Sequence, residues 1–204
     1  AGEGPPGGGG WGGEGVLGLR GGGRAGGGRF VRRVPLARGL AFEDRGLVVA
    51  DSAPLTVGND AVPLVVDWNG DGHADLLLGS GYGVLVLYQG IGAGEVTQVG
   101  PVSSQGKPLE FLLDVAPIDL ADWTGDGVAD LVVAGMSGNV LLYPGLPGMA
   151  AKRDFGPARP VTIRGGLDLY VGTYPHGFAL DLDGDGYRDL LFGNSGGDLL
   201  WLRG

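Results

Sequence analysis

Residues 180–194 read LDLDGDGYRDLLFGN, and the pattern stands twice earlier, as VDWNGDGHADLLLGS from Val66 and ADWTGDGVADLVVAG from Ala121. In the last copy Asp181, Asp183 and Asp185 alternate, Gly186 follows, and Asp189 comes four residues after Asp185. This is the order of positions 1, 3, 5, 6 and 9 in a calcium-binding loop, where the glycine allows a sharp turn and the carbonyl at position 7, here Tyr187, adds an oxygen. The first copy supplies Asp67, Asn69, Asp71, the carbonyl of His73 and Asp75. The second supplies Asp122, Thr124, Asp126, the carbonyl of Val128 and Asp130. Every side-chain donor is an oxygen, a hard set that favours Ca2+ over zinc or copper; three Ca2+ sites are predicted.

A helical EF-hand and an ordinary hairpin turn are the competing readings of these loops. A helical EF-hand needs a bidentate glutamate at position 12, and here that position holds Leu78, Val133 or Phe192, inside apolar runs that read as strands. Aspartate and glycine also make ordinary hairpin turns. Three loops with one spacing and one Asp-Leu continuation favour metal sites over chance turn composition.

Outward from the loops the chain repeats. Asp67, Asp122 and Asp181 are 55 and 59 residues apart, a period that fits one supersecondary unit. A second element follows each loop, as GYGVLVLYQG from Gly81, SGNVLLYPG from Ser137 and SGGDLLWLRG from Ser195, with a further copy, GEGVLGLRG, from Gly13. No helix-length stretch shows a 3.6-residue apolar period, and the apolar runs are short and bounded by glycine, asparagine or proline. The predicted fold class is all-β, built of four-stranded antiparallel propeller blades, about three and a half in this chain. For the first complete unit, strands are expected at 61–67, 75–79, 83–89 and 96–103.

The expected divisions are a glycine-rich segment at 1–14, a partial blade plus insertion at 15–60, and calcium-binding repeats at 61–110, 111–165 and 166–204. Propellers typically close with about four to eight blades. Closure by the terminal strands, association of copies, and membership of a longer propeller all remain open on the sequence.

The formal charge is −9, from 23 acidic and 14 basic residues, and ten of the acids lie in the three loops. The remaining thirteen acids nearly balance the bases, so the low isoelectric point reports local cation sites, and nucleic acid is not an expected partner. With no cysteine, no disulfide can staple the chain, and bound metal would serve in its place. No apolar run is long enough for a membrane span, and the start of the chain does not read as a leader peptide.

At the acidic loops and the glycine-bounded strands the chain resembles the FG-GAP and VCBS repeat family, over most of residues 61–204. Where that family's signature has Phe-Gly, this chain has Phe192-Gly193, Leu78-Gly79 and Val133-Ala134-Gly135. The resemblance implies a β-propeller, seven-bladed in many relatives, with calcium on the blade loops and roles in adhesion or ligand binding. It implies an extracellular location and a protein or glycan ligand.

Catalytic groups are few: no cysteine, two histidines, and carboxylates already committed to loops. The chain is therefore expected not to be an enzyme. Binding or scaffolding is the leading expectation, followed by a calcium-stabilised lectin and then an accessory propeller of a polysaccharide-active enzyme. The aromatic residues Trp11, Trp68, Trp123, Tyr187 and Trp201 are expected to pack between blades more often than to stack on sugars. His176 is a candidate for a ligand-facing position, and self-association could complete a ring.

Overall fold

The computed structural model describes residues 17–20, 29–34, 41–58, 61–92, 95–112, 114–148 and 152–204. The described residues form strands and turns joined into stacked sheets. β1 (Leu17–Arg20), β2 (Arg29–Val34) and β3 (Ala41–Leu47) make one antiparallel sheet. β4 (Val49–Ala50), β5 (Ala53–Pro54), β6 (Val62–Val66), β7 (Asp75–Gly79), β8 (Leu85–Gly92) and β9 (Glu95–Pro101) make a six-stranded sheet in the order β5-β4-β9-β8-β7-β6. A small hairpin, β10 (Ser103–Ser104) with β11 (Lys107–Pro108), leads to β12 (Val115–Ala121), β13 (Asp130–Gly135), β14 (Val140–Tyr143) and β15 (Arg159–Pro160), which pair in chain order. β16 (His176–Leu180), β17 (Asp189–Gly193) and β18 (Leu199–Leu202) form the last sheet, also in chain order.

The strands expected for the first complete unit fall within a few residues of β6, β7, β8 and β9. The later part of the expected partial blade plus insertion at 15–60 is a structured part of two sheets. Residues 41–47 pair with β2, and β4 adds to β9 in parallel. The reason is apolar: Val48 and Leu55 are buried with Leu76, Leu78, Tyr88 and Val96, so this segment covers a sheet face that would otherwise meet water.

The middle strands β7 and β13 have apolar neighbours on both faces, which is why their sequences are continuous runs rather than alternating ones. In β7, Leu76 and Leu78 point to the cluster with Val48, while Leu77 points the other way, to Leu131, Val133 and Phe155. In β13 the same division sends Leu131 and Val133 to one cluster and Val132 and Ala134 to the next, with Leu190 and Phe192 of β17. Sheets thus stack face to face through shared cores, and β12, the first strand of its sheet, lies beside both β6 and β16. First strands side by side with sheets fanned behind them are the blade arrangement of a propeller.

Beyond the last shared core the third sheet presents an apolar outer face. Phe178, Leu191 and Trp201 stand opposite one another across β16, β17 and β18. Phe178 and Trp201 are about half exposed and Leu199 is 74% exposed.

Candidate metal centres in three acidic loops

The loops join β6 to β7, β12 to β13 and β16 to β17, the first two strands of each repeat, and β8, β14 and β18 are the third. The ladder closes on the pairs Val66 with Asp75, Ala121 with Asp130, and Leu180 with Asp189, so the ninth loop residue is the first of the following strand. The two glycines of each loop have positive φ, 77° and 83° at Gly70 and Gly72, 76° and 85° at Gly125 and Gly127, and 78° and 91° at Gly184 and Gly186. Only glycine adopts this region without a Cβ penalty, and here it turns successive N–H groups inward.

Those N–H groups converge on the first aspartate. Asp67 Oδ1 accepts from Gly70 N at 2.8 Å and Asp71 N at 3.2 Å, and its Oδ2 from Gly72 N at 3.0 Å. Asp122 is held in the same way by Gly125, Asp126 and Gly127, and Asp181 by Gly184, Asp185 and Gly186. Three backbone donors fix each carboxylate's orientation before any ion arrives, two on Oδ1 and one on Oδ2, and Oδ2 retains acceptor capacity.

The ninth-position aspartates are buried, and they tie the loop to the far end of the sheet's third strand. Asp75 Oδ2 accepts Trp68 N at 2.8 Å and its Oδ1 accepts Gly90 N at 2.7 Å. Asp130 takes Trp123 N, Thr124 N and Gly145 N at 2.9, 2.8 and 2.8 Å. Asp189 takes Leu182 N at 3.0 Å, Gly204 N at 2.9 Å and the Trp201 indole N–H at 2.9 Å. Burial pushes the Asp75 carboxyl above its ordinary value, against the pull of the Gly90 and Trp68 N–H groups. The Gly204 N–H leads in holding Asp189 below its ordinary value, helped by Trp201 and Leu182.

The glycine within two residues of the end of each third strand is required by this bracket. A Cβ on Gly90, Gly145 or Gly204 would collide with the carbonyl oxygen of Ala74, Ala129 or Arg188, the eighth loop residue. Gly145→Ala is therefore expected to destabilise the protein by about 2 kcal/mol, within the range for overpacking a closed site. Urea unfolding of the calcium-free variant measures it. A midpoint equal to that of the wild type would mean that the loop and strand can separate freely.

The fifth-position carboxylates behave differently. Asp71 Oδ1 accepts His73 N at 2.8 Å and lies 3.2 Å from His73 Nδ1, while its Oδ2 accepts the Asn69 amide at 2.7 Å. The His73 backbone N–H, then the Asn69 amide, hold Asp71 below the usual carboxylate value. Asn69 Oδ1 in turn accepts Asp71 N at 2.9 Å. Val128 N donates to Asp126 and Tyr187 N to Asp185, at 2.8 and 2.9 Å, while the His73 and Tyr187 side chains are exposed.

In the third loop, carboxylate oxygens of Asp181, Asp183 and Asp189 lie within 4.8 Å of one another. Two oxygens that share a calcium at 2.3–2.6 Å are at most about 5 Å apart, so this trio fits a divalent ion. Among the described residues it is the one such group, because the third position is Asn69 in the first loop and Thr124 in the second, both neutral oxygen donors. Arg203 pairs with two carboxylates of this loop: its Nη2 donates to Asp185 Oδ2 at 2.9 Å, and its Nε lies 2.6 Å from Asp183 Oδ2.

Sequence reasoning missed the contacts that lock one loop to the next sheet. Arg153 Nε donates to the Trp68 carbonyl at 2.6 Å, with its guanidinium 5.9 Å from the indole centroid, a cation–π distance. Asp119, at a bulge in β12, accepts the Trp123 indole N–H at 3.0 Å and pairs with Arg188 of the third loop at 3.1 Å. Burial raises the Asp119 pKa, opposed first by Arg188. No spacing rule marks such pairs, since their partners lie 85 and 69 residues apart. Of the aromatic residues expected to pack between blades, Trp68 is buried, Trp123 is half-buried, and Tyr187 and Trp201 are exposed. His176 is exposed at the start of β16, and Trp11 lies outside the described residues.

Three stacked sheets, each with an acidic glycine-rich loop joining two antiparallel strands, define a repeat protein of the propeller-blade class. Residues 67–133 match the sequence model of the FG-GAP-like repeat, and the chain carries that repeat. It is also similar to integrin alpha-7 of Rattus norvegicus and of Mus musculus, 28% identical to each over 162 residues that cover 72% of this chain. The chain spans only 14% and 13% of the length of those relatives. Among the described residues no helix is long and apolar enough to cross a membrane.

Proposed function

We propose that this chain is an extracellular, non-enzymatic binding or adhesion module whose blades are set by three bound calcium ions. Asp181, Asp183 and Asp189 hold the ion of the third loop, joined by Asp185 and the Tyr187 carbonyl. Asp67, Asn69, Asp71, Asp75 and the His73 carbonyl serve the first loop. Asp122, Thr124, Asp126, Asp130 and the Val128 carbonyl serve the second. The observation that carries the reading is the thrice-repeated backbone cradle, in which three N–H groups fix the first carboxylate and a buried bracket fixes the ninth. Calcium between them ties the corner of two strands and holds the sheet ends in register for a protein ligand. The repeats at 61–110, 111–165 and 166–204, after a partial blade within 15–60, are the working units, and the 1–14 segment lies before them. The apolar outer face of the third sheet supports self-association within the same reading.

At 1 mM calcium, a site with a dissociation constant near 0.1 mM adds about 1.4 kcal/mol to folding. Chelation with EDTA is expected to lower the melting temperature by several degrees, with recovery on adding calcium and little on adding magnesium. A melting curve unchanged by EDTA overturns the reading. A lectin is the second reading, favoured by the exposed rings of Tyr187 and Trp201 at the third loop. Calcium-dependent signal on a glycan array would select it.

A further inference from the structure

We propose that Arg203 is the resident counter-cation of the third acidic loop and sets the calcium affinity of that loop apart from the other two. The inference rests on the calcium reading above and concerns what regulates one of its sites. The third loop carries four carboxylates, Asp181, Asp183, Asp185 and Asp189, where the first carries three with Asn69 and the second three with Thr124. Charge count is one of the means by which calcium loops are tuned, and on that count alone the third would be the tightest. The residue before the bracketing glycine is Gln89 in the first unit, Pro144 in the second and Arg203 in the third.

The guanidinium stands where it balances the extra charge. Its Nε meets Asp183, the added carboxylate, at 2.6 Å, and its Nη2 meets Asp185 at 2.9 Å. An arginine guanidinium stays charged at any working pH, so this balance does not titrate away. A divalent ion shared by these carboxylates competes with the guanidinium for the same negative charge. Arginine's planar fork spans two carboxylates in a way that a lysine ammonium does not. The side chain is largely exposed, so each contact is weak, and the competing positive charge lowers calcium affinity by about fivefold.

The test uses the full chain, wild type and Arg203→Gln, with calcium titrated at low ionic strength and followed by the amide NMR signals of Gly72, Gly127 and Gly186, one reporter for each loop. In the wild type, Gly186 is expected to respond at a calcium concentration no lower than the other two. In Arg203→Gln, it should respond at about fivefold lower calcium, ahead of Gly72 and Gly127, whose midpoints stay fixed. Arg203→Lys should fall between. If Gly186 titrates at the same concentration in all three proteins while Gly72 and Gly127 respond, Arg203 does not set the affinity and the proposal alone is overturned. If none of the glycines responds to calcium, the calcium reading falls and this inference with it.

Discussion

Asp130→Ala is expected to destabilise the calcium-free protein by about 4 kcal/mol, because one buried carboxylate there satisfies three backbone donors. Trp123 N, Thr124 N and Gly145 N all donate to it, and the last of these is itself buried. An unsatisfied buried donor costs about 1–3 kcal/mol, and the alanine leaves both the entry to the second loop and the end of β14 without an acceptor. Asp130→Asn keeps the shape and one acceptor oxygen but turns an amide N–H₂ towards donors, so it should recover only part of the loss. Asp126→Ala is the comparison, since its carboxylate is exposed and takes only the Val128 N–H within its own loop. That change should cost less than about 1 kcal/mol without calcium while removing a proposed ligand from the second site. Urea unfolding in EDTA separates the two roles. Equal destabilisation by Asp126→Ala and Asp130→Ala would mean that the ninth-position carboxylate is no bracket and acts through the ion alone.

The loops and strands were legible in the sequence because their signals are local. Asp-x-Asp-x-Asp-Gly spacing, glycines at forced turns and apolar runs of strand length are fixed by backbone chemistry within a few residues, and β6, β7, β13 and β17 fall where they predict. The pairing of Asp75 with Gly90, Asp130 with Gly145 and Asp189 with Gly204 was half-visible: the glycine recurs near the end of every third strand, yet its purpose is a close approach across the sheet that composition does not show. Asp119, Arg153, Arg188 and Arg203 were not legible as site residues. Each acts across a fold contact far along the chain or, for Arg203, through a charge match that emerges only when the third strand returns to its loop. The segment from Val48 to Leu55 read as a connection because its strands are two residues long, and its apolar side chains gain meaning only against the face of β7.

Phe155→Ala is expected to cost about 3–5 kcal/mol, the range for emptying a fully buried phenylalanine site. The ring lies in the core between the first two complete sheets with Leu77, Leu131 and Val133, and meets the Trp68 indole edge-on with centroids 6.0 Å apart. Its backbone is equally committed. Phe155 bridges both Ser104 and Gly145, and its carbonyl accepts Gln105 N at 2.9 Å. On either side Asp154 takes Ser103 Oγ and Gly106 N, at 3.1 and 3.0 Å, and the Gly156 carbonyl takes Ser104 Oγ at 2.8 Å. A segment that follows the second sheet is thus clamped onto the hairpin that follows the first, with the ring as the anchor. Because Trp68 belongs to the first loop, the cavity should also loosen that loop and weaken its calcium response, whereas the third loop, on a different core, should respond as before. Phe178→Ala, on the half-exposed outer face of the third sheet, gives the contrast, with an expected loss below about 1 kcal/mol. Thermal unfolding of both variants decides the matter: if Phe155→Ala melts with Phe178→Ala, the sheets do not share a packed core, and the stacking described for the first two units is wrong.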